Sequence, residues 1–309
     1  MQALCIGNFE GVHRGHAELL AAARRLVGPH GRVAAVAFEP LPVEVLRPGT
    51  LEGRLGTPQS KVERLRSLGA DAVHLLPTDR DLLSLEPEVF IRMLRERIPF
   101  ELVVEGPDFR FGRERRGDVA VLAALGGEEG FRVEVVPEID VALSDGCLVP
   151  ARSRLVRWLL GHGRVRDAAA VLGRPYLLEG LVVPGDRQGR LLGCPTANLD
   201  HGARLLPGDG VYAGWATIPD GSRVAAAISV GRKPTFVPTP PRCEVHLIDR
   251  ELPLDHYGWP IAVEFHRWIR GQLVFPGVEP LVEQMRRDVT RIREVLALEP
   301  LPFALAGTA

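Results

Sequence analysis

Cysteine is scarce and scattered: Cys5, Cys147, Cys194 and Cys243 are the only four in 309 residues. No two lie close together, which excludes a disulfide framework and a zinc knuckle and leaves thiols expected to be reduced and structural. Charge of one sign is also lacking, since 38 Lys and Arg against 39 Asp and Glu give a formal net charge of -1. Without a basic excess or an acidic tail, the chain has no means of coating nucleic acid, and a small bound ligand is the expected partner. The opening apolar run reaches glycine at Gly7, too soon for a signal peptide or a membrane span. The protein is therefore expected in the cytoplasm, away from membranes. There is no internal repeat and no low-complexity tract. What remains is an ordinary globular composition, 46% hydrophobic and 25% charged, in a chain too long for one typical domain.

The two halves carry different hydrophobic patterns. In the first, short apolar runs at residues 3–6, 33–38, 72–76, 101–104 and 133–136 are continuous, as expected of strands covered on both faces. Helical spacing separates them: Leu19, Leu20, Ala23, Leu26 and Val27 follow the first run, and Thr57-Pro58 opens a later helix that Gly69 closes. This order predicts a doubly wound parallel sheet of Rossmann-like type. After LGRPY (172–176) the runs alternate and are separated by turns, at 176–183, 210–218, 224–230, 243–249 and 260–269. They predict an antiparallel barrel or sandwich. An amphipathic helix over 279–296 closes the chain, with Leu281, Met285, Val289, Ile292 and Leu296 in one stripe. The junction is expected in the helical stretch 158–172, giving domains 1–165 and 166–309.

GNFEGVHRGH (7–16) follows the first strand and leads into a helix. A glycine turn at a helix N-terminus suits phosphate, and histidines at i and i+3 add donors. A plain strand-to-helix turn explains the same residues, and two histidines one turn apart could also share a metal, although no further ligand is evident. The stretch resembles the G-x-F-D-G-x-H-x-G-H signature of bacterial bifunctional riboflavin kinase/FAD synthetases. FEPLP (38–42) and GPDFRFGRERRGD (106–118) are similar to that family's F-E-P-H-P and G-x-D-F-R-F-G-x-x-x-x-G-D. The resemblance implies an adenylyltransferase module in which His13 and His16 hold the ATP phosphates, with Gly7, Asn8, Phe9 and Gly15 forming the loop and Asp108 facing flavin. ARSRLVR (151–157) stands in the place of the family's I-S-S-T-x-I-R: Ser153 and Arg157 match as phosphate ligands, whereas Arg152 and Arg154 replace a Ser and the Thr. Glu10 and Leu41 likewise replace an Asp and a His.

GDRQGRLLGCPTANLD (185–200) joins a glycine-rich loop to a Thr hydroxyl and an Asn carbonyl, groups suited to phosphate and to a hard magnesium ion. An exposed hairpin loop explains that stretch equally well. It resembles the family's kinase signature G-x-G-R-x-L-G-x-P-T-A-N, and GVYAGW (210–215), GRKPTF (231–236), CEVHLID (243–249) and HYGWPIAVEF (256–265) continue the match in order. By that resemblance Gly185, Arg190 and Gly193 bind ATP, Thr196 and Asn198 hold Mg2+, Glu244 is the catalytic base, and Asp288 and Arg293 contact flavin. The implied activities are ATP-dependent phosphorylation of riboflavin to FMN and adenylylation of FMN to FAD. Two other readings stay open: a kinase with a degenerate adenylyltransferase domain, and a non-catalytic flavin-binding regulator.

Overall fold

The structure, a computed structural model, describes residues 1–232, 241–250 and 256–298. GRKPTF therefore lies outside the described residues from Lys233 onward. The chain divides into two compact units, Met1–Val141 with Leu148–Ser153, and Ala142–Cys147 with Arg154–Ala309.

The first unit runs β1 (Gln2–Gly7), α1 (Arg14–Val27), β2 (Arg32–Glu39), α2 (Pro42–Leu46), α3 (Pro58–Ser67), β3 (Ala72–Pro77), α4 (Arg80–Leu83), α5 (Pro87–Arg97), β4 (Leu102–Glu105), α6 (Val119–Glu129) and β5 (Arg132–Val135). These strands form a parallel sheet in the order β3-β2-β1-β4-β5. The continuous apolar runs have a direct cause: Ala3 and Cys5 pack into one core with Leu20 and Ala23, while Leu4 and Ile6 pack into the opposite core with Phe90 and Ile91. Both faces of β1 are thus covered, and each fully buried Leu, Ile or Phe contributes about 1.5–3 kcal/mol. As expected, Thr57 caps α3, its hydroxyl accepting the Ser60 N–H at 3.0 Å.

A short hairpin, β6 (Asp140–Ala142) and β7 (Leu148–Pro150), follows. Its tip groups with the second unit, where the Ser144 N–H and hydroxyl donate to the buried Asp167 carboxylate at 2.7 and 3.0 Å. The second unit continues with α7 (Ser153–Gly161), α8 (Val165–Leu172), β8 (Tyr176–Val183), α9 (Gln188–Leu191), β9 (Ala197–Asp200), β10 (Gly210–Thr217), β11 (Arg223–Gly231), β12 (Arg242–Leu247), β13 (Pro260–Arg270) and α10 (Val278–Leu298). The compact units divide at Ser153/Arg154, twelve residues before the expected 165/166. The reason is that α7 belongs to the second unit: its Val156, Leu159 and Leu160 are buried, and the Leu160 carbonyl accepts the Gly208 N–H at 2.8 Å.

The six strands of this unit close into an antiparallel barrel in the order β10-β11-β12-β9-β8-β13. Closure removes unpaired edges and decides between the barrel and sandwich expected from the alternating runs. Strand β9 was not among those runs. Four residues are too few to display alternation, and the strand exists because β8 and β12 both pair with it. Tyr176, Tyr212 and Phe265 fill the interior, and α10 packs Ile292, Val295 and Leu296 with Ala213 and Ile248. All four cysteines are free; burial raises the Cys5 and Cys243 thiols well above their ordinary range, which makes them inert.

Candidate functional site

The first cleft opens at the carboxyl ends of β1 and β4, where the strand order changes direction, the position at which open parallel sheets bind ligands. It encloses about 280 Å³ and is lined by Gly7, Phe9, His13, Gly15 and His16 together with Glu105, Asp108, Glu138, Arg152 and Ser153. The loop that carries the histidines is bent through three left-handed residues, Phe9 (φ 45), Gly11 (φ 71) and Val12 (φ 41). A phenylalanine and a β-branched valine there cost about 1–3 kcal/mol each and persist only where packing imposes them. Both side chains are buried, Phe9 completely, with its ring edge against His16. Gly15 is tightly enclosed: a Cβ would stand 3.1 Å from both the Ala151 carbonyl oxygen and the His13 ring, so either neighbour would have to give.

His13 and His16 stack with ring centroids 3.6 Å apart and planes 22° from parallel. The His13 N–H donates to His16 Nδ1 at 3.3 Å, which assigns the His16 ring proton to Nε2. Burial first, then His13 and Lys61, hold the His16 pKa well below 6.5, so the ring is neutral at physiological pH and presents an N–H donor. The Ser153 hydroxyl donates to the Glu10 carbonyl at 2.8 Å and so holds the histidine loop from within the first unit. Arg152, one of the departures from the family pattern, is held by Glu138 through Nε at 2.9 Å and Nη2 at 2.5 Å, with Asp108 3.7 Å away. Asn8 is exposed and is not part of the wall, and Arg154 and Arg157 lie on α7, which belongs to the second unit.

Several residues of this region carried no sequence signal. Lys61 is buried beside the loop, donates to the Phe38 carbonyl at 3.4 Å and stands 3.6 Å from Glu39. Burial lowers its pKa. Arg54 joins Glu39 at 2.6 Å to Glu44 at 2.6 and 2.8 Å, fixing the segment that contains Leu41, whose N–H donates to Glu44 at 2.9 Å. Glu105 ends β4 just beyond the run anticipated at 101–104. Its only sequence mark was a charge closing an apolar run.

In the barrel, strand register brings together residues far apart in sequence. Glu244 on β12 pairs with Asn198 on β9 and Ser229 on β11, and the Thr196 hydroxyl lies 3.5 Å from Glu244 Oε2. Gly185 stands so close to Asn198 that a Cβ would come within 2.0 Å of its amide nitrogen, so a side chain there would displace the Asn198 amide. Gly193 adopts φ 74, and Arg190 sits exposed on the short α9. His246 donates from Nδ1 to the Pro195 carbonyl at 2.8 Å and anchors the loop before Thr196. A neighbouring cleft of about 450 Å³ is lined by residues 183–186 and 198–201 with Pro241 and Arg242. Asp288 and Arg293 are already engaged: Arg270 grips Asp288 through Nε and Nη2 at 2.7–3.1 Å, and Arg293 meets Asp249 at 2.6 Å. The hydroxyl and amide oxygens of Thr196 and Asn198 are hard donors of the kind that suits magnesium. No group of three or more His, Cys, Asp or Glu suited to a metal occurs among the described residues.

Residues 1–145 match the family model described as FAD synthetase, and residues 172–296 match the one described as riboflavin kinase. The chain is 31% identical to the bifunctional riboflavin kinase/FMN adenylyltransferase of Bacillus subtilis over 92% of this chain and 89% of that protein. It is 33% identical to the protein of the same name from Escherichia coli K12 over 96% of this chain and 93% of that one. A crystal structure titled as a macrolide-efflux protein from Streptococcus pneumoniae superposes with a TM-score of 0.84 at 27% identity, covering 94% of this chain and 93% of that one. Among the described residues no helix is long and apolar enough to cross a membrane.

Proposed function

The chain belongs to the family of bifunctional riboflavin kinase/FMN adenylyltransferases, and on that premise we propose how its two clefts divide the chemistry. It phosphorylates riboflavin to FMN and adenylylates FMN to FAD with release of pyrophosphate, using ATP for both steps. The observation that carries the reading is the partition of the two family models between the two compact units: the histidine cleft falls in the first and Glu244 in the second.

In the first unit an oxygen of the FMN phosphate attacks the α-phosphorus of ATP, a P–O bond forms, and the bond to the β-phosphate oxygen breaks to release pyrophosphate. His16, neutral with its proton on Nε2, donates to the phosphates, and His13, stacked on it, completes the contact. Such transfer depends on positioning and on stabilising developing negative charge, which donors fixed in a buried, strained loop supply without reorganisation. Ser153 holds the loop rather than the phosphate in this arrangement, since its hydroxyl proton is committed to Glu10. Arg152 supports the wall through Glu138. The replacements at 152 and 41 therefore leave the histidine pair intact.

In the barrel, Glu244 accepts the proton of the ribityl 5′-hydroxyl as its oxygen attacks the γ-phosphorus of ATP and ADP leaves. Thr196 and Asn198 would hold Mg2+, which supplies charge neutralisation on the phosphates when bound. Gly185 leaves space for the Asn198 side chain, and Gly193 turns the same loop. Asp288 acts through Arg270, positioning the end of β13, and Arg293 steadies Asp249. The test is incubation of the purified chain with riboflavin, ATP and Mg2+, followed by separation of the flavins. FMN should accumulate and then convert to FAD; absence of both products sinks the reading, and FMN alone marks a degenerate first unit.

A further inference from the structure

Glu105 is a buried carboxyl that the chemistry above leaves unused. It is 2% exposed, contributes to the wall of the histidine cleft, and stands at the carboxyl end of the central strand β4. Its Oε1 accepts the Ile6 N–H at 2.5 Å. Among the described residues it has no cationic partner. The charged and titratable groups around it confirm that isolation: Cys5 on β1 is a neutral thiol, His16 on α1 is neutral beside His13, and Asp108 in the following loop is an acid. Glu134 on β5 lies in register with Val104, and Glu138 lies beyond β5. The nearest cation in the wall, Arg152, is spent on Glu138 and Asp108. Burial pushes the Glu105 carboxyl well above the usual range; the Ile6 N–H bond opposes this only in part, and Asp108 adds to the rise.

An uncompensated carboxylate at this depth would be costly by itself and would repel a polyanionic nucleotide. A neutral acid does neither. With Oε1 occupied as an acceptor, the proton resides on Oε2 and is available to the cleft. We propose that Glu105 is a nucleotide-binding residue of the adenylyl-transfer site, donating its Oε2 proton to a phosphate oxygen of bound ATP. A hydrogen bond from a carboxylic acid to an ionised phosphate is charge-assisted, and it pins the proton further. The assignment rests on adenylyl transfer occurring in this cleft. Its consequence is that ATP affinity for FAD formation is coupled to one proton, and that the site loses affinity as Glu105 ionises. His16 has the opposite dependence, since it is protonated only on the acid side.

The experiment follows FAD formation from FMN and ATP by the full chain from neutral to alkaline pH, measuring KM for ATP. Above the Glu105 ionisation, KM should rise about tenfold per pH unit, as one-proton linkage requires. Glu105→Gln, which keeps a donor and cannot ionise, should abolish that rise, while Glu105→Leu should raise KM at every pH. FMN formation from riboflavin by the same preparations should not follow these changes. A KM that stays flat in the unaltered protein, or the same alkaline rise in Glu105→Gln, overturns the assignment. Infrared difference spectra give a readout independent of the fold of any variant: the unaltered protein should show a carboxylic-acid carbonyl band that shifts on addition of ATP, and no shift overturns the assignment equally. Failure to form FAD at any pH would instead remove the adenylyl-transfer reading on which it rests.

Discussion

The parallel-sheet unit and the barrel unit assemble their candidate sites by different physical routes. In the first, the candidate histidines sit within one loop and the first turn of one helix, so a ten-residue stretch carries the strained backbone, the histidine pair and the close fit at Gly15. In the second, Glu244 meets Asn198 and Thr196 only because closure of the barrel places β9 beside β12. A local site tolerates change elsewhere in its unit; a site made by register depends on every strand that fixes the register. The two also differ electrically. In the histidine cleft burial lowers the His16 pKa and raises that of Glu105, whereas Glu244 on β12 is only half-buried.

The largest test of this contrast is Glu244→Gln. It should lower FMN formation by about 10²- to 10⁴-fold, the range for a general base, and leave FAD formation from supplied FMN unchanged. Retained kinase activity would show that another group takes the proton. Next, His16→Ala should lower FAD formation by about 10²- to 10³-fold, as loss of one fixed donor does, without touching the kinase. In the unaltered protein the same step should weaken in acid. The folded His16 pKa lies below 6.5, so its neutral form and the stability it contributes are complete above 6.5 and are lost as pH falls through the lowered value. A rate profile of FAD formation that stays level into acid would contradict this.

Smaller effects probe the supports. Arg270→Ala leaves Asp288, whose side chain is 7% exposed, without its bidentate partner. Denaturant titration should show a loss of about 3 kcal/mol in the barrel unit's transition, at the lower edge of the range for breaking a buried pair. Ser153→Ala removes one hydrogen bond to the histidine loop and should cost about 1 kcal/mol in the first unit, with a modest fall in FAD formation and none in FMN formation. An equal loss in both activities would mean that the tie serves the whole chain rather than the loop.

Much of the architecture was legible in the chain. Two-faced burial writes itself as unbroken apolar runs and one-faced burial as alternation, so the parallel sheet and the antiparallel half separated on pattern alone, and the histidines, Gly185, Asn198 and Glu244 stood in local motifs. Other features had no local signature. The short strand β9 carries no period, α7 joins the second unit because of what its buried face packs against, and the pairing of Asp288 with Arg270 and of Arg293 with Asp249 has no local mark in the sequence. Lys61 and Glu105 were ordinary charges in sequence. By itself the sequence determined which backbone segments could form and which local turns could hold phosphate, because periodicity, glycine and capping act over a few residues. Only the tertiary structure decided which charges lie buried, which are paired and which are neutral, because desolvation and ion pairing depend on groups that folding brings together from distant parts of the chain.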